Sequence, residues 1–181
     1  MSISDQALIA RVLAKDDQQA FTQLVLRYQS QLRVWARRLC HGDAHLADDL
    51  AQETFINAYA GLSRFRADAK FSTWLYRIAF NIAADRWRSK KIEWTTLDEE
   101  DDITAENCEI SRYASQKDIA TAMAHLSDAQ SLAIRLCYED GFSHEEAAMI
   151  MSIPLGTLKN HVARGKKKLQ ILLASWSEVT S

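Results

Sequence analysis

The sequence predicts an all-α protein in which two small helical domains are joined by an acidic linker. The chain has 181 residues, of which 48% are hydrophobic, and it contains one proline and five glycines. Few helix-breaking residues and enough apolar side chains for packed cores favour an ordered, helical chain. Apolar residues also recur every three or four positions, and charge is distributed unevenly. From these patterns we expect a first domain at 1–92, a linker at 93–112 and a second domain at 113–181.

Four amphipathic helices are expected in the first domain. The first starts at Asp5, the second follows a cap at Asp16 or Asp17, and the third starts at Asp43 after Gly42 stops the second. The residues expected to face inward are Leu8, Ile9, Val12 and Leu13 in the first helix; Phe21, Leu24, Val25, Tyr28, Leu32, Trp35, Ala36 and Leu39 in the second; Ala47, Leu50, Ala51, Phe55, Ala58 and Leu62 in the third; and, after a loop at 63–70, Phe71, Trp74, Leu75, Ile78, Ile82 and Ala83 in the fourth.

The second domain is expected to begin with two helices. Ser127 with Gln130 forms a capping box, in which each side chain bonds to the backbone N–H of the other residue, and so marks the start of a helix. Gly141 ends that helix. The residues expected to face inward are Ile119, Met123 and Leu126 before the capping box and Leu132, Ala133 and Leu136 after it.

Residues 141–162 have the pattern of a helix-turn-helix, whose second helix enters the major groove of DNA. Ser143 with Glu146 makes a second capping box. Pro154 suits the start of the next helix because that position needs no N–H. The residues expected to hold the two helices together are Ala147, Ala148, Met151, Leu155, Leu158 and Val162. The residues left for solvent or DNA are Thr157, Lys159, Asn160, His161 and Arg164.

Charge is partitioned along the chain although the net charge is only −2. Residues 62–91 contain eight basic and two acidic residues, and residues 154–173 contain five basic residues and no acidic one. Residues 92–110 contain eight acidic residues and no Lys or Arg. Because local fields rather than total charge govern binding to phosphates, both basic blocks are candidate nucleic-acid contacts. The acidic block shows no helical period, which indicates a linker.

The third predicted helix exposes a polar face opposite its apolar stripe. This face consists of Asp48, Asp49, Gln52, Glu53, Ile56 and Asn57. A solvated surface explains such a pattern, and acidic residues near a helix start are favourable in any case. Binding of a protein partner is the functional alternative. Catalysis is disfavoured because the sequence indicates no pocket that would shift the pKa values of these carboxyls.

Aromatic and basic residues are mixed at 71–81, as in proteins that bind single-stranded DNA. In such proteins rings stack on unpaired bases while cations hold phosphates. The spacing of Phe71 and Trp74 favours a core position for both. The residues expected off the core stripe or at its margin are Tyr76, Arg77, Phe80 and Asn81. The amide of Asn81 could then hydrogen-bond a base edge.

The sequence lacks the motifs that would indicate other classes of function. No stretch approaches the roughly 20 apolar residues of a membrane span, and the N-terminus lacks the features of a signal peptide. The three cysteines are too scattered for a disulfide framework and favour a reducing compartment, so we expect a cytoplasmic protein. Cys40, His41 and His45 suggest a metal site, but Gly42 breaks the helix between the histidines and no further cysteine has ligand spacing. No phosphate-binding loop or hydrolase motif occurs, and no cofactor is expected.

Together these features resemble a bacterial sigma factor of the sigma-70 family, in its compact extracytoplasmic function (ECF) group. The resemblance extends from about Asp5 to Leu173. Residues 48–59 are similar to region 2.2 of the family, residues 71–79 with Asn81 to regions 2.3 and 2.4, and the helix-turn-helix to region 4.2. A helix-turn-helix alone is common, but the three parts in this order indicate the family.

The resemblance implies a transcription initiation factor that has no catalytic activity of its own. It would bind core RNA polymerase, choose promoters and help to open the DNA. The acidic face of the third helix would dock on the clamp helices of the largest polymerase subunit, and the flap region would be a further contact. The acidic linker would thread the polymerase near the active site and the RNA exit path.

The resemblance also implies two sets of promoter contacts. Those at the −10 element are Phe65, Arg66, Asp68, Lys70, Tyr76, Arg77, Asn81, Arg86 and Arg88, among which the loop at 63–70 and Asn81 would hold a flipped base. Those at the −35 element are Thr157, Lys159, Asn160, Arg164, Lys166 and Lys168. Lys159 stands where Arg is common, and Ala163 where a larger side chain is common, so the −35 sequence itself does not transfer.

An anti-sigma factor is a further partner that the resemblance implies. The last predicted helix ends about eight residues before the last residue, so we expect no appended regulatory domain and, by analogy, an outside regulator. The rival hypothesis is a self-sufficient helix-turn-helix regulator that binds duplex DNA as a dimer. Such a regulator needs neither the acidic face nor the aromatic-basic block. A helical enzyme is a third alternative, for which no catalytic constellation is present.

Overall fold

The computed structural model of the chain describes residues 3–89 and 115–178, without the side chains of 88, 89, 115–118 and 174–178. The expected linker at 93–112 lies outside the described residues, as does the side chain of Arg88. Within the described residues every regular element is a helix, which confirms the all-α fold class.

Eight α-helices occur in the described part of the chain. They are α1 (Asp5–Lys15), α2 (Gln18–Leu39), α3 (Ala44–Gly61), α4 (Phe71–Ser89), α5 (Ser115–Ala124), α6 (Asp128–Tyr138), α7 (His144–Met151) and α8 (Leu155–Glu178), with a 3₁₀ turn at Leu62–Arg64 after α3. The chain separates into two compact units. The first contains α1 to α4, and the second is built around α5, α6, α8 and the start of α7.

The core of the first unit lies where α2, α3 and α4 meet. Its buried residues include Leu24, Leu32, Trp35 and Ala36 of α2, Ala47, Leu50, Ala51, Thr54 and Ala58 of α3, and Phe71, Leu75, Tyr76, Ala79 and Ala83 of α4. Full burial of one large apolar side chain stabilises a fold by about 1.5–3 kcal/mol. Small residues dominate the buried stripe of α3, which allows this helix to lie close to both neighbours.

Side-chain caps set the starts of the first three helices. The side chains of Ser4, Asp17 and Asp43 accept hydrogen bonds from backbone N–H groups in the first turns of α1, α2 and α3. Of the two candidate caps for α2, Asp17 makes the bond, whereas Asp16 has φ 49° and accepts a hydrogen bond from Tyr59. The local sequence therefore fixes these starts before any tertiary contact is considered.

Polar contacts attach α1 to α2. The carboxylate of Asp5 accepts hydrogen bonds from both Arg27 and Tyr28. Burial, followed by the bond to Asp5, raises the pKa of Tyr28 well above its usual range. The raised pKa favours the protonated phenol, which is the form that donates to Asp5.

Two capping boxes organise the second unit. Ser127 with Gln130 begins α6, and Ser143 with Glu146 begins α7, which confirms both sequence predictions. Between them Gly141 has φ +75°, a conformation that favours glycine. In α8, a Cβ atom at Gly165 would lie 2.6 Å from a side-chain carbon of Ile134, so the missing side chain lets α8 lie close to α6.

Two apolar residues that were expected inside are exposed. Leu13 is 51% exposed and Ile119 is 52% exposed, although Val12 and Met123 next to them in the helical pattern are buried. Periodicity gives the side of a helix that faces inward, but not the length over which a neighbour covers it. Leu13 lies near the C-terminal end of α1, where that cover stops, whereas Ile119 lies in the middle of α5 and points away from the buried Met123 side.

Asp17 is expected to make stability depend on pH. The backbone N–H of Ala20 and the guanidinium of Arg11, 2.7 Å away, hold the pKa of Asp17 below its ordinary value of 3.8. A carboxyl with a lowered folded-state pKa stabilises the fold above its unfolded pKa, and this stabilisation is lost as the pH falls. Asp17→Asn keeps a capping oxygen but loses the charge. Its thermal midpoint should lie below that of the wild type at pH 7, and the difference should shrink as the pH falls below 3.8. If the difference in thermal midpoint between wild type and Asp17→Asn stayed constant from pH 7 to below 3.8, the stabilising role of the Asp17 charge would be contradicted.

Candidate nucleic-acid and protein interfaces

The outer face of α3 presents most of its predicted residues to solvent. Asp48, Asp49, Gln52, Ile56 and Asn57 are exposed, and Glu53 is half-buried. The opposite face is fixed in the core, where Thr54 also donates a hydrogen bond to the carbonyl of Leu50 at 2.6 Å. The buried stripe therefore sets the rotation of α3 about its axis, and the polar face on the opposite side is turned toward solvent.

A cavity of about 470 Å³ lies between α2 and α3 beside this polar face. It is lined by Phe21, Val25, Gln29 and Arg33 of α2 and by Asp48, Ala51, Gln52, Phe55, Ile56 and Tyr59 of α3. Mixed aromatic, aliphatic and polar linings are typical of protein interfaces. The α2 side of this cavity was missed from the sequence because Phe21 and Val25 follow the core period of α2, and periodicity does not show where two helices diverge.

In the described part of the first unit, ion pairs connect α3 to both α2 and α4. Arg33 lies 3.4 Å from Asp48, and Arg86 of α4 lies 2.5 Å from Glu53. The side chains are between 35% and 57% exposed, so each pair contributes at most about 1 kcal/mol to stability. Glu53 is therefore engaged with α4, and Asp49 and Ile56 are the cleaner positions at which to test the outer face of α3.

An aromatic cluster joins the loop before α4 to α4 itself. The ring of Phe65 lies 5.2 Å from that of Trp74 and 5.9 Å from that of Phe71, which in turn lies 5.5 Å from that of Tyr28. Phe65 and Trp74 are half-buried, so part of each ring reaches the surface. The loop is thereby held on α4 by ring packing, and it presents partly accessible aromatic surface.

Tyr76 was predicted to contact DNA, and the structure corrects this prediction. It is only 4% exposed, and its ring lies 5.0 Å from that of Trp35. Phe80 is also buried, at 8% exposure. Both were expected at the margin of the core stripe. Because α4 contacts both α2 and α3, its buried face is wider than a single stripe, and Tyr76 is not accessible for stacking on a base.

The other predicted residues of this block remain at the surface. Arg66, Asp68, Lys70, Arg77 and Asn81 are exposed, and Arg86 is half-buried. Arg77 and Asn81 are four residues apart and so share one side of α4. This places a guanidinium and an amide side by side on the same helix as the aromatic cluster.

The second helix of the helix-turn-helix, α8, presents its predicted reading face outward. Leu158 and Val162 are buried. Thr157, Lys159, Asn160, Arg164 and Lys166 are exposed, whereas Lys168 is half-buried. The pKa of Glu145 in α7 is lowered by its own backbone N–H, by Ser143 and, more weakly, by Lys159.

Comparison with known families assigns both units. Residues 24–92 match the family model of sigma-70 region 2, and residues 116–169 match that of sigma-70 region 4. The chain belongs to the sigma-70 family. The region 2 match covers most of α2 together with α3 and α4, and the region 4 match covers nearly all of α5, α6 and α7 and most of α8.

Curated relatives identify the ECF group of this family. The chain is 36% identical to the ECF RNA polymerase sigma factor SigW of Bacillus subtilis, over 86% of this chain and 90% of the relative. It is also 36% identical to the RNA polymerase sigma-H factor of Pseudomonas aeruginosa, over 93% of this chain and 95% of the relative. This sigma factor is therefore a DNA-binding transcription initiation factor that works with RNA polymerase.

A solved structure shares the fold of this sigma factor. The sigma factor RpoE of Bartonella quintana, in complex with the anti-sigma factor NepR, has a TM-score of 0.63 and 32% identity, covering 85% of this chain and 96% of that chain. None of the described helices combines the length and the hydropathy that a membrane span requires. Among the described residues, no three His, Cys, Asp or Glu side chains are grouped so that they could hold a metal ion.

Proposed function

We propose that this ECF sigma factor uses three separate surfaces to direct RNA polymerase to its promoters. Residues 1–92 dock on the polymerase and engage the −10 element, residues 113–181 engage the −35 element, and residues 93–112 form the connecting linker. The factor has no catalytic activity of its own and acts in the cytoplasm. The observation that carries this proposal is the combination, in one unit, of an outward α3 face with an exposed amide and partly accessible rings on α4.

The outer face of α3 is the proposed polymerase dock. Asp48, Asp49, Gln52, Glu53, Ile56 and Asn57 form it, and the adjoining cavity supplies apolar surface. Ile56 is 60% exposed and also lines the cavity, so a partner side chain that enters the cavity would bury it. Charge on the rim would orient the partner, while the apolar floor would supply most of the affinity. The clamp helices of the largest polymerase subunit are the proposed occupant, and the flap region is the proposed contact of the second unit.

The loop at 63–70 and the exposed side of α4 form the proposed −10 site. An extruded base can stack on the accessible parts of Phe65 and Trp74, and Asn81 offers both a donor and an acceptor to its edge. The proposed phosphate contacts are Arg66, Lys70, Arg77, Arg86 and Arg88. Asp68, in the loop, is a further proposed contact at the −10 element. Arg86 has to share its charge with Glu53 in the free protein.

The exposed side of α8 is the proposed −35 site. Thr157, Lys159, Asn160 and Arg164 lie on its N-terminal half, which is the part of a recognition helix that reaches base edges. Lys166 and Lys168 lie further along the helix and are proposed to hold phosphates. The structural relative of Bartonella quintana is bound to an anti-sigma factor, and we extend this to propose that an anti-sigma factor also controls the present chain.

Ile56→Glu is expected to weaken association with core polymerase at least about tenfold, which corresponds to 1.4 kcal/mol. The substitution places a charge at the cavity mouth, and since Ile56 is exposed it should not unfold the helix. Leu26→Glu is the matched control, because Leu26 is 62% exposed on α2 and does not line the cavity. Affinity is measured by fluorescence anisotropy of labelled sigma factor. Equal affinities for the two variants would refute the docking assignment.

Asn81→Ala is expected to reduce promoter opening while promoter binding by the holoenzyme survives. The variant loses the amide that pairs with an extruded base but leaves the aromatic cluster intact. Permanganate reactivity of unpaired thymines in the −10 region reports opening. Gln19→Ala, an exposed amide at the start of α2, serves as the control. Wild-type reactivity in the Asn81 variant would exclude the base-binding role.

Arg164→Ala and Asn160→Ala are expected to cost roughly 1–3 kcal/mol on the preferred −35 sequence and to relax the preference at one position. Lys168→Ala should instead weaken binding to every sequence alike and lower the salt dependence by roughly one unit of slope. Holoenzyme affinities for a set of −35 variants at two salt concentrations separate these outcomes. Uniform losses for the first two variants would mean that α8 does not read sequence through them.

A further inference from the structure

An exposed tyrosine stands beside the lysine run of α8. Tyr138 is the last residue of α6 and is 58% exposed. Its hydroxyl accepts a hydrogen bond from the ammonium of Lys166 at 3.4 Å, and the same ammonium lies 5.4 Å from the centre of its ring. Lys166 is thus held by a hydrogen bond to the Tyr138 hydroxyl and by a cation–π contact with the ring.

This arrangement presents several donors at one place on the surface. The ammonium has three N–H groups, of which one is used by Tyr138. Because the hydroxyl oxygen is the acceptor in that bond, its own proton is available to donate to a ligand. The nearest acidic neighbour in sequence, Glu139, is engaged with Arg135 at 3.0 Å, so its charge is compensated. An oxygen-rich anion is the ligand that such a pair of donors fits.

The position along α8 indicates which anion this is. Lys166 is eleven residues beyond the first residue of α8, or about 16 Å along the helix axis. The major groove is about 12 Å wide, so a helix whose N-terminal residues contact bases has reached the sugar-phosphate rim at this distance. With α8 docked in this way, Tyr138 would lie near the rim, although it belongs to a helix outside the helix-turn-helix.

We propose that Tyr138 and Lys166 together clamp one phosphate of the −35 duplex, with Tyr138 donating its own hydrogen bond rather than only supporting the lysine. The proposal rests on the proposed −35 role of α8. It adds a DNA contact from α6 that the helix-turn-helix pattern alone does not include. The sequence conceals it, because Tyr138 and Lys166 are 28 residues apart.

A double-mutant cycle in the reconstituted holoenzyme tests the proposal. The variants are Tyr138→Phe, which keeps the ring and removes the hydroxyl, Lys166→Met, and both together, with Lys167→Met as a control for loss of one nearby charge. Affinity for a duplex carrying the −35 element is measured over a range of salt. Tyr138→Phe should weaken binding by roughly 2- to 10-fold, the usual effect of one hydrogen bond, with little change in salt slope. Lys166→Met should lower the slope by about one unit.

The double variant distinguishes a phosphate contact from mere support of the lysine. If Tyr138 donates to phosphate, Tyr138→Phe should still weaken binding at least about twofold in the Lys166→Met background. If that effect disappears, Tyr138 only positions Lys166 and the proposal is overturned. Wild-type affinity of the single Tyr138→Phe variant would overturn it as well. A holoenzyme that does not prefer the −35 duplex to random DNA, even with the wild-type chain, would instead overturn the proposed function.

Discussion

Close packing of α3 against both α2 and α4 is the constraint on which the first unit depends. The buried stripe of α3 is built from alanines around Leu50 and Thr54, so the helix can contact two neighbours at once. This fixes the rotation of α3 and sends its polar face outward. It also sets the position of α4, whose opposite side carries Arg77 and Asn81. The proposed polymerase dock and the proposed −10 surface would therefore be held in one geometry by a single core.

The sequence was sufficient for those features that depend on local chemistry. Helix starts at Asp17 and Asp43, together with the two capping boxes, follow from side-chain bonds to nearby backbone N–H groups, and the structure contains all of them. The outward polar face of α3 and the exposed face of α8, which is the proposed reading face, follow in the same way from helical period. Such features need no knowledge of distant parts of the chain.

What the sequence could not supply depends on contacts between helices. Tyr76 is buried because α4 has two neighbours, so its buried face is wider than periodicity indicates. The pairing of Glu53 with Arg86 and that of Tyr138 with Lys166 join residues on different helices. The cavity beside Ile56 depends on the divergence of α2 and α3. To predict any of these features, one must know the distance between two helix axes, and no local sequence pattern gives that distance.

We propose that this chain acts only as a subunit of RNA polymerase. Run-off transcription with core polymerase on a library of promoter sequences, with and without the purified chain, distinguishes this role from that of an independent regulator. Transcripts should appear only when the chain is added, and they should begin downstream of a shared pair of −10 and −35 elements. A chain that binds duplex DNA tightly as a dimer without polymerase, and that yields no promoter-specific transcript with it, would instead be an independent regulator.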